Sequence, residues 1–225
     1  MAGFTYETHL HTAETSRCAK SSGAEFAEYY AALGYTGIFV TDHFFNGNTT
    51  VADHLSWEAR VEQFCRGFDA AAARGAQLGL DVFFAWEYSY GWAHFLTYGL
   101  DIAWLLAHPD LLGWELSEYF DRVHADGGGI IHAHPFREYV DLVHLVPTKT
   151  DAVEVVNSAR SPEHNRHALD YAESFGLPRT AGSDIHSTRQ RRLCGVVTSQ
   201  RLTGGRDYLT ALTSGDAVVF DETRE

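Results

Sequence analysis

Basic charge is scarce in this chain: 17 Lys and Arg stand against 30 Asp and Glu, for a formal net charge of −13. A protein that grips duplex nucleic acid usually presents a basic face that displaces phosphate counterions. No such face is visible, so duplex nucleic acid is not an expected partner. Small anions stay open, because bound metal ions supply local positive charge inside an acidic protein. Cysteine is scarce too. Cys18, Cys65 and Cys194 are odd in number and far apart, which indicates neither a disulfide framework nor a CxxC zinc site. No apolar run approaches the roughly 18 residues of a membrane span. Met1 to Thr8 lacks a basic segment followed by an apolar one, so no signal peptide is expected and the default location is the cytoplasm. Linker-like stretches, low complexity and repeats are lacking as well. The 225 residues therefore read as one domain, 1–225, with a sizeable core.

What is present is an alternation of short β-branched or aromatic runs with helical stretches. Phe4–Thr8, Gly37–Thr41, Asp81–Trp86, Phe95–Tyr98, Gly129–Ile131, Val153–Val156, Arg179–Ala181 and Gly195–Thr198 read as strands. Helices are predicted over Ser22–Leu33, ended by Gly34, and over Asp53–Arg74 and Trp114–Ala125. Another runs from the cap Ser161-Pro162-Glu163 to Phe175. Arg206–Thr213 and Ala217–Phe220 close the chain. The alternation predicts an α/β fold, a mostly parallel sheet with helices outside, closed as a βα barrel.

The 13 histidines carry the functional argument. His9 and His11 follow the first strand, His43 the second and Glu87 the third. His134 ends the Gly129 strand, and Asp184 and His186 end a late one. In a βα barrel the carboxyl ends of the strands converge on one rim. Side chains two apart on a strand point the same way, so His9 with His11, and Asp184 with His186, can each grip one site twice. Imidazole and carboxylate together suit zinc, manganese or iron. The set exceeds what one ion needs, which predicts two or three divalent ions with Glu87 bridging. Other histidines read as ordinary: His54, His108, His124 and His144 as surface or satisfied core rings, His164 and His167 as members of an outer helix.

The motifs His9-Leu10-His11, Thr41-Asp42-His43, His132-Ala133-His134-Pro135 and Ser183-Asp184-Ile185-His186, in that order, resemble those of the PHP (polymerase and histidinol phosphatase) family. The resemblance implies a distorted seven-stranded, TIM-like βα barrel and a di- or trinuclear site that hydrolyses phosphoesters. It implies metal ligation by His9, His11, His43, Glu87, His134, Asp184 and His186, with His94 a further ligand and His132 and Asp42 behind the ligands. Many members carry Asp or His about six residues after the first HxH, holding a third ion. Here Thr15-Ser16-Arg17-Cys18 occupies that region, with Glu14 the only acid nearby.

The expected reaction is hydrolysis of a small phosphomonoester. A hydroxide bridging two ions attacks phosphorus, Glu87 holds both ions, and Asp42, His132 or a metal-bound water gives the leaving oxygen a proton. Arg137, Arg160 and Arg17 are the candidates to clamp the phosphoryl oxygens by forked hydrogen bonds. Phe44, Phe45, Tyr88, Tyr90 and Trp92 are expected at the rim, where they stack a ring or simply pack. The alternatives are a phosphodiesterase or nucleotide phosphatase on the same site, hydrolysis at a carbonyl carbon, and a non-catalytic metal-binding module. Carbonyl chemistry in comparable barrels uses a carboxylated bridging lysine. The chain offers only Lys20 and Lys149 for that role, neither at a strand end.

Overall fold

The computed structural model describes residues 3–137 and 142–223. The elements run β1 (Phe4–Glu7), α1 (Gly23–Ala32), β2 (Gly37–Val40), α2 (Trp57–Phe64), α3 (Arg66–Leu78), β3 (Asp81–Phe84), β4 (Trp86–Tyr90) and β5 (Ala93–Tyr98). They continue with α4 (Ile102–Ala107), α5 (Leu116–Ala125), β6 (Gly129–Ala133), β7 (Ala152–Asn157), α6 (Pro162–Phe175), β8 (Arg179–Gly182), β9 (Arg192–Thr198), α7 (Gly205–Ser214) and β10 (Val218–Thr223). Local chemistry explains the helix ends. Ser22 and Glu25 close a capping box at α1, Ser161 caps α6 with Pro162 in its first turn, and left-handed Gly176 stops it.

The expected seven-stranded TIM-like barrel is not what forms. Two mixed five-stranded sheets do, in the orders β10-β9-β1-β2-β3 and β4-β5-β6-β7-β8, and neither closes on itself. The reason is in the connections. A parallel barrel needs a crossover helix after each strand. Here β3 passes directly into β4 across Ala85, and β4 turns into β5 at the two-residue hairpin Gly91-Trp92, with Gly91 at φ 58°. Strands β4, β5 and β6 therefore pair antiparallel, and so do β9 with β1 and β10 with β9. Among the described residues, only single bridges occur between the sheets, Leu10 with Ile185 and His43 with Glu87. Both seams lie where the candidate ligands lie.

The predicted helix over Asp53–Arg74 is two. The first begins at Trp57 because the Ser56 hydroxyl accepts from the Ala59 N–H at 3.4 Å; the second begins after Cys65. That break lets α3 lie close on α1. A Cβ at Gly23 would overlap the Gly67 carbonyl, and one at Gly67 would overlap the Thr12 hydroxyl and meet Asp42 Oδ2 at 2.9 Å. Two glycines thus bring a helix pair directly against the loop that follows β1. The core is heavily aromatic: Phe44, Phe64, Trp86, Phe95 and Tyr119 fill one cluster, Tyr6, Phe39, Tyr98 and Tyr208 another. Each such side chain contributes about 1.5–3 kcal/mol when fully buried. Among the described residues no helix is long and apolar enough to cross a membrane.

Candidate metal centre

The ligand loops are held in place from below by a buried carboxylate. Glu7, the last residue of β1, accepts the N–H groups of Thr8 at 2.9 Å, His9 at 2.8 Å and Ser183 at 2.9 Å, and the Tyr30 hydroxyl at 2.6 Å. It ties the His9-Leu10-His11 segment to the Ser183-Asp184 segment. Between them Gly182 leaves no room for a side chain: a Cβ there would meet Glu154 Oε1 at 2.7 Å and overlap the His9 Cβ. Two candidate ligands hold left-handed backbone, His134 at φ 28° and Asp184 at φ 49°. Such torsions in residues other than glycine cost of order 1–3 kcal/mol and concentrate at functional sites.

The rings are oriented by their far nitrogens. His9 Nδ1 lies 2.8 Å from Glu154 Oε1, His11 Nδ1 3.2 Å from the Ser16 hydroxyl, and His186 Nδ1 2.7 Å from the Asp184 carbonyl. With Nδ1 engaged, each ring presents Nε2, the arrangement in which an outer carboxylate, hydroxyl or carbonyl sets the tautomer of a ligating histidine. His9 Nε2 and His11 Nε2 are 3.1 Å apart. Asp184 Oδ1 is 3.6 Å from the first and 3.4 Å from the second, and Glu87 Oε1 is 3.4 Å from His9 Nε2. An ion bound at about 2.0–2.2 Å separates neighbouring donors by roughly 3–3.6 Å. Glu87 is the hub of a second group: His94 Nδ1 lies 2.8 Å and His134 Nε2 3.2 Å from its Oε1, while His43 Nδ1 abuts its Oε2. His43 Nδ1 and Glu87 Oε2 are buried against each other as an ion pair. A third group brings His11, His43 and His186 together. Buried donors converging at ligand spacing fit divalent ions. His9, His11, His43, Glu87, His94, His134, Asp184 and His186 all belong to these groups.

Electrostatics of the protein alone agree. Burial would raise the Glu87 carboxyl, but His94 and His43 beside it carry it well below the usual range. Asp184 is likewise lowered against burial, by His9, His11 and His134. Burial disfavours charge on His9, yet Glu154 and Asp184 raise it well above the ordinary imidazole value, while burial and His43 drive His11 well below it. His9 Nε2 and His11 Nε2, 3.1 Å apart, are near enough to meet on one cation. A cation is thus favoured at this point, whether a proton or a metal supplies it.

The other predicted residues divide. Asp42 is buried and fully engaged, accepting the Thr12 N–H at 2.6 Å, the Thr12 hydroxyl at 2.6 Å and the Ser16 hydroxyl at 2.7 Å. Burial pushes its carboxyl up to about 6. It braces Ser16, which in turn holds His11, and does not line the cleft over the centre. His132 is also set apart: it packs between Phe95 and Tyr171, and burial depresses it to about 3. Glu14 accepts the Gly23 N–H at the start of α1. Arg17 is exposed and donates to the Thr49 carbonyl, away from the centre. Arg137 and Arg160 do line the cleft, a space of about 350 Å³ bounded also by Cys18, Asn46, Trp92 and His186. Arg160 Nη2 donates to Asp184 Oδ2 at 3.0 Å, and Arg137 Nη1 lies 3.2 Å from His94 Nδ1. Of the rim aromatics, Phe44, Phe45 and Tyr88 are core; Tyr90 and Trp92 stay exposed, Trp92 by 58%. Lys20 is exposed and Lys149 pairs with Asp121 at the surface, so neither is a ligand.

Sequence reasoning missed Glu7, Glu154 and Cys18. Glu154 had a signal, a lone acid in the apolar run Ala152–Val156. It binds His9 and also accepts the His134 N–H at 2.9 Å. Cys18 Sγ lies 3.2 Å from His43 Nε2. Burial raises its thiol, but hydrogen bonds to His186 and His43 outweigh that and bring it down to about 6.

Comparison with known proteins gives a short family match and several likenesses of fold. The PHP-associated family model matches residues 162–190, from the start of α6 through Asp184 and His186. No curated protein matches the sequence. A two-domain protein from Bacteroides vulgatus, containing a predicted PHP-like metal-dependent phosphoesterase, superposes with a TM-score of 0.70 at 18% identity over 97% of this chain. The chain spans 65% of that protein, under two thirds of its length. A candidate metal-dependent phosphoesterase from Bifidobacterium adolescentis has a TM-score of 0.57 at 15% identity, covering 95% of this chain and 96% of its own. An amidohydrolase from Chromobacterium violaceum, with bound sulfate and no metal, has a TM-score of 0.54 at 15% identity over 81% and 87% of the two chains. At such identities the likeness shows a shared fold. With the matched segment and the four motifs, it bears out the resemblance to the PHP family.

Proposed function

We propose that the chain is a metal-dependent hydrolase of small phosphomonoesters. The observation that supports this most is Glu87: one buried carboxylate within 4 Å of nitrogens of His9, His11, His43, His94 and His134, which suits a bridging ligand between two divalent ions of manganese, zinc or iron. Ions held there supply Lewis acidity, acidifying water and offsetting charge on a phosphoryl oxygen. The chain's own contribution is to hold the donors rigid through Glu7, Glu154 and Asp42, and to set two guanidinium groups at the cleft. Arg160, fixed by Asp184, and Arg137, beside His94, approach from the segments that follow β7 and β6 and would grip non-bridging oxygens by charge-assisted bonds. Neither Asp42 nor His132 reaches the cleft, so the proton for the leaving oxygen comes from elsewhere, and water in the open cleft serves.

A phosphomonoester offers three non-bridging oxygens, one more than a diester, and two arginines with two ions can engage all of them. The test compares catalytic efficiency on a nitrophenyl phosphate and on its bis ester, with manganese, zinc and iron in turn. The monoester is expected to win; a clear advantage for the diester overturns the preference, and no turnover of any phosphoester by fully loaded protein overturns the reaction class. The likeness to an amidohydrolase keeps carbonyl chemistry as the second reading, and an ester and amide panel run beside the phosphoesters separates the two. The proposed partner is a small phosphorylated substrate, with neither duplex nucleic acid nor membrane; cytoplasmic location is part of the same proposal.

A further inference from the structure

We propose that Trp92, at the tip of the β4–β5 hairpin, is a specificity-determining residue that stacks the alcohol portion of the substrate, a phosphomonoester of a planar aromatic alcohol rather than of a sugar or a short aliphatic one. The inference rests on the phosphomonoester reading above and names the part of the substrate that the ions and arginines do not hold. The rim aromatics are unequal. Phe44, Phe45 and Tyr88 are spent on the core, and the exposed Tyr90 ring makes an edge contact with His144, centroids 5.8 Å apart. Trp92 is 58% exposed, and among the described residues its ring has no aromatic partner and its indole N–H no hydrogen bond. It does not stand on a remote surface. It lines the same cleft of about 350 Å³ as His43, His94, Arg137, Arg160 and His186.

Chain geometry fixes its place. Strands β4 and β5 pair Tyr90 with Ala93 and Ser89 with His94, which leaves Gly91 and Trp92 as the turn. Gly91 takes the left-handed torsion, φ 58°, that a two-residue hairpin favours. Trp92 is thus two residues from His94, whose Nδ1 lies 2.8 Å from Glu87 Oε1. Two residues span at most about 7 Å, so the indole stands within a small molecule's length of the donors. The hairpin is also clamped. The Asn46 amide donates to the Ser89 carbonyl at 2.6 Å, and its oxygen accepts the Ser89 N–H at 3.2 Å. The cleft therefore has a charged end, with the arginines and imidazoles, and a flat apolar wall at Trp92. One phosphorylated ring can engage both. Beside the indole, Asn46 is spent on Ser89, the Ser89 hydroxyl is buried and Gly91 brings no side chain. The hydroxyls of a sugar find little to bond there, whereas an aromatic ring needs only the indole face.

The experiment uses the whole chain loaded with manganese. Calorimetry reads the binding of benzylphosphonate, cyclohexylmethylphosphonate and propylphosphonate, none of which can be hydrolysed. Turnover is read on benzyl and propyl phosphates, whose alcohols leave with similar ease. Benzylphosphonate is expected to bind roughly 10-fold more tightly than either other ligand, as one stacked ring provides, with a similar advantage for benzyl phosphate in kcat/KM. Trp92→Ala should cut both preferences to about twofold or less, and Trp92→Phe should keep most of each. Equal binding of the benzyl and cyclohexylmethyl ligands overturns the aromatic class. A benzyl preference that persists in Trp92→Ala, or is missing from the unaltered chain, overturns the role of Trp92. Turnover of both esters with equal efficiency overturns it too and leaves the phosphomonoester reading standing. Turnover of neither, with the Trp92-dependent binding preference intact, overturns the hydrolase reading and supports the ring subsite. No binding of any phosphonate and no turnover overturns both.

Discussion

At the scale of single residues, the site is a set of carboxylates with different tasks set by their surroundings. Glu87 faces five imidazoles. Glu87→Gln keeps the shape and removes the charge, so both metal content and activity should fall together; loss of substrate affinity at unchanged metal content would refute the bridging role. Glu154 acts through His9. Glu154→Gln weakens its hold on the His9 tautomer, and metal affinity should drop about 10–100-fold, as is typical for such outer partners; titration of stripped protein with zinc reads this directly. Far from the centre, His124 is raised by its hydrogen bond to Asp151, 2.8 Å away. A histidine raised on folding contributes stability that is fully present below its unfolded value of about 6.5 and fades as pH rises through its higher folded value. Asp151→Asn should therefore lower the melting temperature at pH 5.5 more than at pH 9; an equal loss at both would show that the Asp151 bond to the Ile130 N–H, not the ion pair, is what matters.

At the scale of elements, the centre depends on close approach of backbones. Helix α3 reaches Thr12 and Asp42 only because residue 67 is glycine, and Asp42 in turn holds Ser16 and His11. Gly67→Ala should destabilise the fold by about 1–3 kcal/mol, as overpacking does, and should also weaken metal retention. Denaturant unfolding paired with metal analysis checks it; a normal melting curve with normal metal content would show that the helix simply shifts away. The strands and most helices were legible because alternation and capping signals are local. The break at Ala85 was not: Asp81–Trp86 reads as one apolar run, and the change of sheet follows from partners distant in the chain, Val40 on one side and Asp42 on the other. The Gly91-Trp92 hairpin carried a turn glycine, but its consequence, three antiparallel neighbours in place of a parallel barrel, emerges only when β6 pairs with β5.

At the scale of the whole molecule, the −13 balance and the buried cluster make opposite demands, and both can be measured. The acidic chain should show no tight binding to duplex DNA near 0.15 M salt, where surviving affinity depends on basic contacts; a submicromolar dissociation constant would overturn that reading. Metal reload should raise the melting temperature, because ions bind the folded donor set and not the dispersed one. By itself the sequence determined the candidate ligand alphabet: histidines and acids at strand ends, in four ordered motifs, mark a candidate metal site without any coordinates, because the side-chain types and their period are local properties. Only the tertiary structure decided which of them meet, that Arg17 turns outward while Cys18 turns in, that Asp42 is a brace, and that Glu7 and Glu154 hold the loops. Those outcomes depend on distances between segments up to 176 residues apart, such as Glu7 and Ser183, and on close packing that no single stretch of chain encodes.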